Sequence, residues 1–189
     1  MPTTATTIVL VRHGATEWSE SLRHTSRTDL PLTEEGRNEA KKLPARLREW
    51  DFALVLTSPR QRARETAQLA GLGEHAQVDD NLCELDYGDD EGRTTAEIRE
   101  ERPGWTVWDG SRNGESLEAA GARADRVIER VLAAGGPVAL FGHGHELRIL
   151  VARWLELPAV GGRYFTLATA TVTVLGYERE QRVLSRLNA

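Results

Sequence analysis

Ile8-Val9-Leu10-Val11-Arg12-His13-Gly14 is the stretch on which the reading of this chain turns. Four consecutive aliphatic residues, three of them β-branched, predict a strand buried on both faces, as in a parallel sheet. Arg-His-Gly then emerges at the strand's C-terminal end, the edge at which open α/β sheets bind ligands. An Arg and a His held side by side, followed by a Gly that lets the backbone approach closely, suit a tetrahedral anion such as phosphate. Alone the tripeptide is weak, because a His after a strand is more often merely hydrogen-bonded. Its weight depends on other residues converging on the same edge.

Working outward, residues 15–32 form a long polar connection, and such loops are usually functional. Thr33, followed by Glu34 and Glu35, predicts a helix N-cap with first-turn acids, for a helix running to about Arg48 that Pro44 should kink or break. Phe52–Thr57 reads as a second strand. Ser58 and Gln61 have capping-box spacing with Pro59 at the first helical position, which places Arg60 in the first turn beside free backbone amides. Residues 77–79 read as a short strand, and Thr94 with Glu97 as a second capping box. Apolar positions 120, 124, 127, 128 and 131 mark an amphipathic helix that starts near Leu117 and ends before Gly135 and Gly136. Pro137–Phe141 is a further strand, turning at Gly142-His143-Gly144-His145 into a helix that carries Leu147, Leu150, Val151 and Trp154. Residues 169–175 and 182–186 resemble a closing hairpin. The order predicts a three-layer α/β/α sandwich, with a mostly parallel central sheet and an antiparallel strand or hairpin near the C-terminus.

A length of 189 residues suits one domain spanning residues 1–189. The net charge of −5, with 24 basic and 29 acidic residues interspersed, offers no tract for nucleic acid or a membrane surface, yet leaves room for a basic cleft. Cys83 is the only cysteine, so neither an intramolecular disulfide nor a Cys-rich metal site is expected. The N-terminal Met-Pro-Thr-Thr-Ala-Thr-Thr lacks the pattern of a leader, and no segment approaches membrane-spanning length. The expected location is cytoplasmic.

Arg12-His13, Arg60 and His143 each follow an aliphatic strand, so parallel pairing would bring all three to one edge. With these in place the sequence resembles the histidine phosphatase superfamily, of phosphoglycerate-mutase-like fold. The resemblance covers nearly the whole chain. It is carried by Leu10–Ser19, by the Thr25–Gly36 run ending Thr-Asp-Leu-Pro-Leu-Thr-Glu-Glu-Gly, by Thr57-Ser58-Pro59-Arg60, by Cys83–Gly88 and by Phe141-Gly142-His143-Gly144, all in the family's order.

The resemblance implies that His13 is the nucleophile that becomes phosphorylated. Arg12 and Arg60 would clamp the non-bridging oxygens, and His143 would donate to the transferring group. Glu84 would be the acid that protonates the leaving oxygen and then the base that activates water; an acidic optimum is expected if it must start protonated. Ser19, Thr25, Ser26 and Gly144 fall where the family contacts phosphate. Many mutases have Asn where Ser19 stands and Gly where Ser26 stands, so the chain departs from the family's pattern at those two contacts. His145 could touch substrate, cap a helix or, least of all, ligate a metal. Trp105 and Trp108 suit a pocket wall or the core equally, and Glu115 is a candidate for support behind the pocket. No metal or other cofactor is implied. Related enzymes are often homodimers, although no stretch here identifies an interface.

Mutase and phosphatase differ in what receives the phosphoryl group. The mutases of the family typically carry a long insertion between the acid and the second His, whereas about 60 residues separate Glu84 from His143 here. That spacing, together with the blocks Arg23–Asp29 and Leu85–Gly88, resembles the small bacterial acid phosphatases and sugar-phosphatase members. The expectation is a metal-independent phosphatase acting on phosphomonoesters of small metabolites, with broad specificity. The alternatives are a phosphoglycerate mutase and a non-catalytic protein that binds phosphorylated ligands.

Overall fold

The computed structural model describes residues 6–189; Met1–Ala5, part of the leader reading, lie outside it. Six strands form one sheet: β1 (Ile8–Arg12), β2 (Leu54–Thr57), β3 (Ala76–Val78), β4 (Val138–Gly142), β5 (Val172–Glu178) and β6 (Gln181–Arg186). Their order is β3-β2-β4-β1-β5-β6; the first four are mutually parallel, β5 pairs antiparallel with β1, and β6 pairs antiparallel with β5. Among the described residues seven α-helices accompany them: α1 (Glu17–Glu20), α2 (Glu34–Ala40), α3 (Leu43–Leu47), α4 (Gln61–Leu69), α5 (Thr95–Glu101), α6 (Leu117–Leu132) and α7 (Gly144–Trp154). This is the expected three-layer sandwich, hairpin included.

Alternation along β1 builds both cores at once, since successive side chains of a strand leave by opposite faces. Ile8 and Leu10 pack with Leu140 of β4 and with Val127, Val131, Leu150 and Trp154 of α6 and α7. Val9 and Val11 pack on the other face with Phe141, Ala40, Leu43, Leu47 and Ala67 of α2, α3 and α4. All four β1 aliphatics are fully buried, each contributing on the order of 1.5–3 kcal/mol.

Most local signals hold. Thr33 caps α2 by accepting from Gly36 N at 3.1 Å. The break near Pro44 separates α2 from α3, and Thr94 with Glu97 forms the capping box of α5. The long connection after β1 is not wholly irregular, because Thr16 and Ser19 cap the short α1 reciprocally.

The capping box at Ser58 does not form. Arg60 is the N-cap of α4 and Pro59 precedes the helix. Ser58 is held in line with the sheet by its N–H to Phe141 O at 2.9 Å, and its hydroxyl lies 2.7 Å from His143 Nε2. Asp29 caps α4 instead, accepting from Gln61 N at 2.9 Å. The first-turn site expected to greet an anion beside Arg60 is thus already occupied by a carboxylate of the chain.

Gly14 and Gly36 pack backbone to backbone beneath the loop after β1. A Cβ on Gly36 would fall inside the van der Waals envelope of Ala15, and one on Gly14 would press on Gly36 O. Gly36→Ala is expected to cost about 2 kcal/mol through overpacking, lowering the thermal midpoint by about 4–8 °C for a chain of this size; calorimetry checks this, and an unchanged midpoint would contradict the packing described.

Candidate active site

Parallel pairing aligns the ends of three strands. Arg12 lies opposite Gly142 and Thr57 opposite Phe141, so His13 and His143 leave the sheet at one level, with Ser58 one residue below, opposite Gly142. His13 N donates to Gly142 O at 3.0 Å, extending the ladder one residue beyond β1. The His13 and His143 rings meet edge to face with centroids 5.2 Å apart.

His13 is buried, and its Nδ1 lies 2.7 Å from Gly14 O. A carbonyl oxygen only accepts, so Nδ1 carries the proton and Nε2 keeps its lone pair. Burial, then the charges of Arg12 and Arg62, hold the ring's pKa well below 6.5, against a smaller opposing effect of the Gly14 bond. The imidazole is therefore neutral and nucleophilic at Nε2. His143 is also held well below 6.5, by burial and then by Arg62, His13, Arg12 and Arg60. Its Nδ1 accepts from Arg62 Nε at 3.3 Å, which leaves Nε2–H to donate to Ser58 Oγ. Both ring nitrogens are engaged within the protein, so the donation to a phosphoryl group expected from the sequence would require exchange of one of these partners.

Arg62 is the residue that the sequence reading passed over. It is fully buried, and its guanidinium reaches His143, Thr28 O at 3.0 Å, Ser26 O at 3.3 Å and Thr25 O at 3.4 Å. On the amide side of the same loop, Glu91 accepts from Ser26 N and Thr28 N, each at 3.0 Å. Residues 25–28 are thus clamped from both sides, close to the two histidines. Helical phase was the signal available: Arg62 shares the buried face of α4 with Ala63, Thr66 and Ala67, whereas Arg64 is exposed.

Other expected contacts have local partners. The Ser26 hydroxyl donates to Glu91 Oε2 at 2.6 Å, so a carboxylate stands where a phosphate contact was expected. Ser19 Oγ donates to Thr16 O at 2.9 Å, and Thr25 Oγ1 to Arg23 O at 3.0 Å, although both residues line the main cavity. Arg12 Nη1 donates to Leu167 O at 2.6 Å while its buried Nε has no partner among the described residues. Gly144 lets that guanidinium lie against the start of α7, where a Cβ would meet it at 3.4 Å. Arg60 Nε is also buried and unpartnered, but Arg60 lines a second, smaller cavity of about 340 Å³ and not the main one.

Glu84 belongs to the walls of both cavities. Its Oε1 accepts from Leu85 N at 2.9 Å and Glu146 N at 2.8 Å, and its Oε2 from His145 N at 3.1 Å. The first-turn amides of α7 hold the carboxylate in place, as helix N-termini hold anions. Glu115 supports it indirectly: Arg123 forms two 2.7 Å bonds to Glu115 and donates to Cys83 O at 3.0 Å. His145 Nδ1 lies 2.7 Å from Tyr87 Oη, and the ring lines the main cavity. Trp105 is buried, its Nε1 donating to Gly110 O at 2.8 Å; Trp108 lies beside His145 at 5.6 Å between centroids. Neither indole is part of the cavity wall.

The main cavity, about 720 Å³, is lined by Arg12, Arg23, Arg99 and Arg148 against the single carboxylate of Glu84. A chain of net charge −5 thus carries a basic pocket. Among the described residues no cluster of three metal-ligating side chains occurs, and no helix is long and apolar enough to cross a membrane.

The model of the histidine phosphatase superfamily (branch 1) matches residues 8–189, and the chain belongs to that family. It is 40% identical over 185 residues to an acid phosphatase of Mycobacterium tuberculosis, covering 95% of this chain and 91% of that one. A sedoheptulose 1,7-bisphosphatase of Saccharomyces cerevisiae is 36% identical over 191 residues, covering 83% and 70%. A solved Mycobacterium tuberculosis structure superposes with a TM-score of 0.92 at 39% identity, covering 96% of both chains.

Because His13 and His143 are held neutral, the unfolded chain binds more protons than the folded one below the ordinary value of 6.5. Their contribution to stability is complete above that value and lost as pH falls toward their lower folded pKa values. Urea unfolding is expected to show stability declining from about pH 6.5 to pH 5, with a shallower slope in His143→Asn. An identical slope in that variant would contradict the assignment.

Proposed function

We propose that this chain is a metal-independent phosphatase that hydrolyses phosphomonoesters of small metabolites through a phosphohistidine at His13. The observation that carries the reading is a buried, neutral imidazole whose Nδ1–H is tied to Gly14 O, leaving the Nε2 lone pair free in a ring that feels the charges of Arg12 and Arg62. Arg12 Nε, buried without a partner, supplies a donor for a non-bridging oxygen. The guanidinium groups provide the positive charge that a metal ion would otherwise supply.

In the first step Nε2 attacks phosphorus, the ester P–O bond breaks, and its electron pair goes to the leaving oxygen, which takes a proton from the Glu84 carboxyl. The Nδ1–H bond to Gly14 O stabilises the phosphorylated ring. In the second step the Glu84 carboxylate takes a proton from water, whose oxygen attacks phosphorus. The P–N bond breaks, its pair returns to Nε2, and orthophosphate leaves. Placing Glu84 at the wall of two cavities favours water as acceptor, which supports hydrolysis over transfer to a retained second hydroxyl. The names of the acid phosphatase and bisphosphatase relatives support the same reading.

The test pairs two leaving groups. Glu84→Gln should slow hydrolysis of an alkyl phosphate such as glycerol 3-phosphate by about 10²–10³-fold, in the range of general acid catalysis, and that of p-nitrophenyl phosphate far less, because its leaving group needs little protonation. Equal losses would count against the acid role. Activity should survive a chelator and disappear in His13→Ala.

A further inference from the structure

The main cavity holds more positive charge than one phosphoryl group requires. Arg12 serves the reacting end, and Arg23 is paired with Glu97 at 3.2 Å. Arg148 and Arg99 line the same cavity and have no carboxylate partner among the described residues. Elsewhere in the chain, Arg37, Arg123 and Arg153 each find a carboxylate within 2.6–2.8 Å.

The two free arginines are anchored alike. Arg148 donates from Nε to Gly162 O at 3.1 Å, and its guanidinium lies 4.8 Å from the centroid of the Trp108 ring. Arg99 donates from Nε to Trp105 O at 2.8 Å. In each case a backbone carbonyl takes the Nε proton and leaves both Nη groups without a protein acceptor among the described residues. A guanidinium stacked on an indole, tethered at Nε and open at Nη, is preorganised for bidentate contact with an anion. Arg148 also follows Gly144 by one turn of α7, on the same helix whose start faces Arg12. Tyr87, Val107 and Leu167 line the same cavity and offer surface suited to a carbon skeleton. The volume, about 720 Å³, accommodates a molecule of sugar-phosphate size.

Resting on the phosphatase reading above, the geometry points to Arg148, assisted by Arg99, as a subsite for a second acidic group of the substrate. Preferred substrates are then phosphomonoesters that carry a further phosphate or a carboxylate.

Matched probes test this. Fructose 1,6-bisphosphate is compared with fructose 6-phosphate, and 3-phosphoglycerate with glycerol 3-phosphate, each pair differing in the second acidic group. The wild type should prefer the doubly acidic member of at least one pair by tenfold or more in kcat/KM, mainly through KM. Arg148→Gln should remove most of that preference, Arg148→Lys should restore part of it, and Arg99→Gln should weaken it less. The same preference should appear in equilibrium binding to the His13→Ala chain, where no phosphorylation occurs. No preference in either pair, or a preference unaltered by Arg148→Gln, would overturn the subsite. Failure of the phosphatase reading is separately visible, as absence of phosphate release from p-nitrophenyl phosphate by the wild type, while binding to His13→Ala continues to report on Arg148.

Discussion

The parallel pairing of β4 with both β1 and β2 is the constraint from which the site follows. Because Arg12 is level with Gly142 and Thr57 with Phe141, His13 arrives level with His143 and Ser58 one residue below them, level with Gly142. Ladder bonds from His13 N and Ser58 N to β4 carbonyls carry the register past the strands themselves. Two imidazoles and a serine hydroxyl are thereby fixed by backbone hydrogen bonds before any side chain makes a choice. A one-residue slip would send His13 to the opposite face and exchange the two cores.

Around this edge, polar groups are spent on holding one another. Arg62 and Glu91 clamp residues 25–28 from the carbonyl and amide sides, the start of α7 holds Glu84, and Glu115 steadies Arg123 beneath Cys83. Buried polar networks of this kind stabilise a fold only when their members are satisfied. The exceptions near the site are Arg12 Nε and Arg60 Nε, together with both carboxyl oxygens of Glu146. Burial raises the Glu146 carboxyl well above its usual range, in keeping with a neutral acid behind Glu84. The unpartnered guanidinium nitrogen of Arg12 belongs to a residue that lines the cavity in which an oxyanion is expected.

The layers, the mostly parallel sheet with its closing hairpin and the convergence of His13 and His143 were legible in the sequence, because aliphatic runs and capping residues report on local structure and parallel pairing does the rest; Glu84 was reached only through the resemblance to the family. Partners distant along the chain were not legible. Ser58 and Gln61 have the spacing of a capping box, but His143, 85 residues away, takes the hydroxyl, and Asp29 supplies the cap. Ser26 reads as a phosphate contact until Glu91 is seen to accept from it. Arg62 was hidden among Arg60 and Arg64, although its phase with Ala63 and Thr66 marked the buried side of α4.

The hydrogen bond from His13 Nδ1 to Gly14 O makes the central claim chemically specific, because it leaves one nitrogen for attack. Rapid alkaline quench during turnover, followed by phosphorus NMR and peptide mapping, measures both the residue and the nitrogen that carry phosphate. Phosphate is expected on His13, bonded to Nε2. Phosphate on Nδ1 of that ring, on another residue, or on no residue during steady turnover would contradict this assignment.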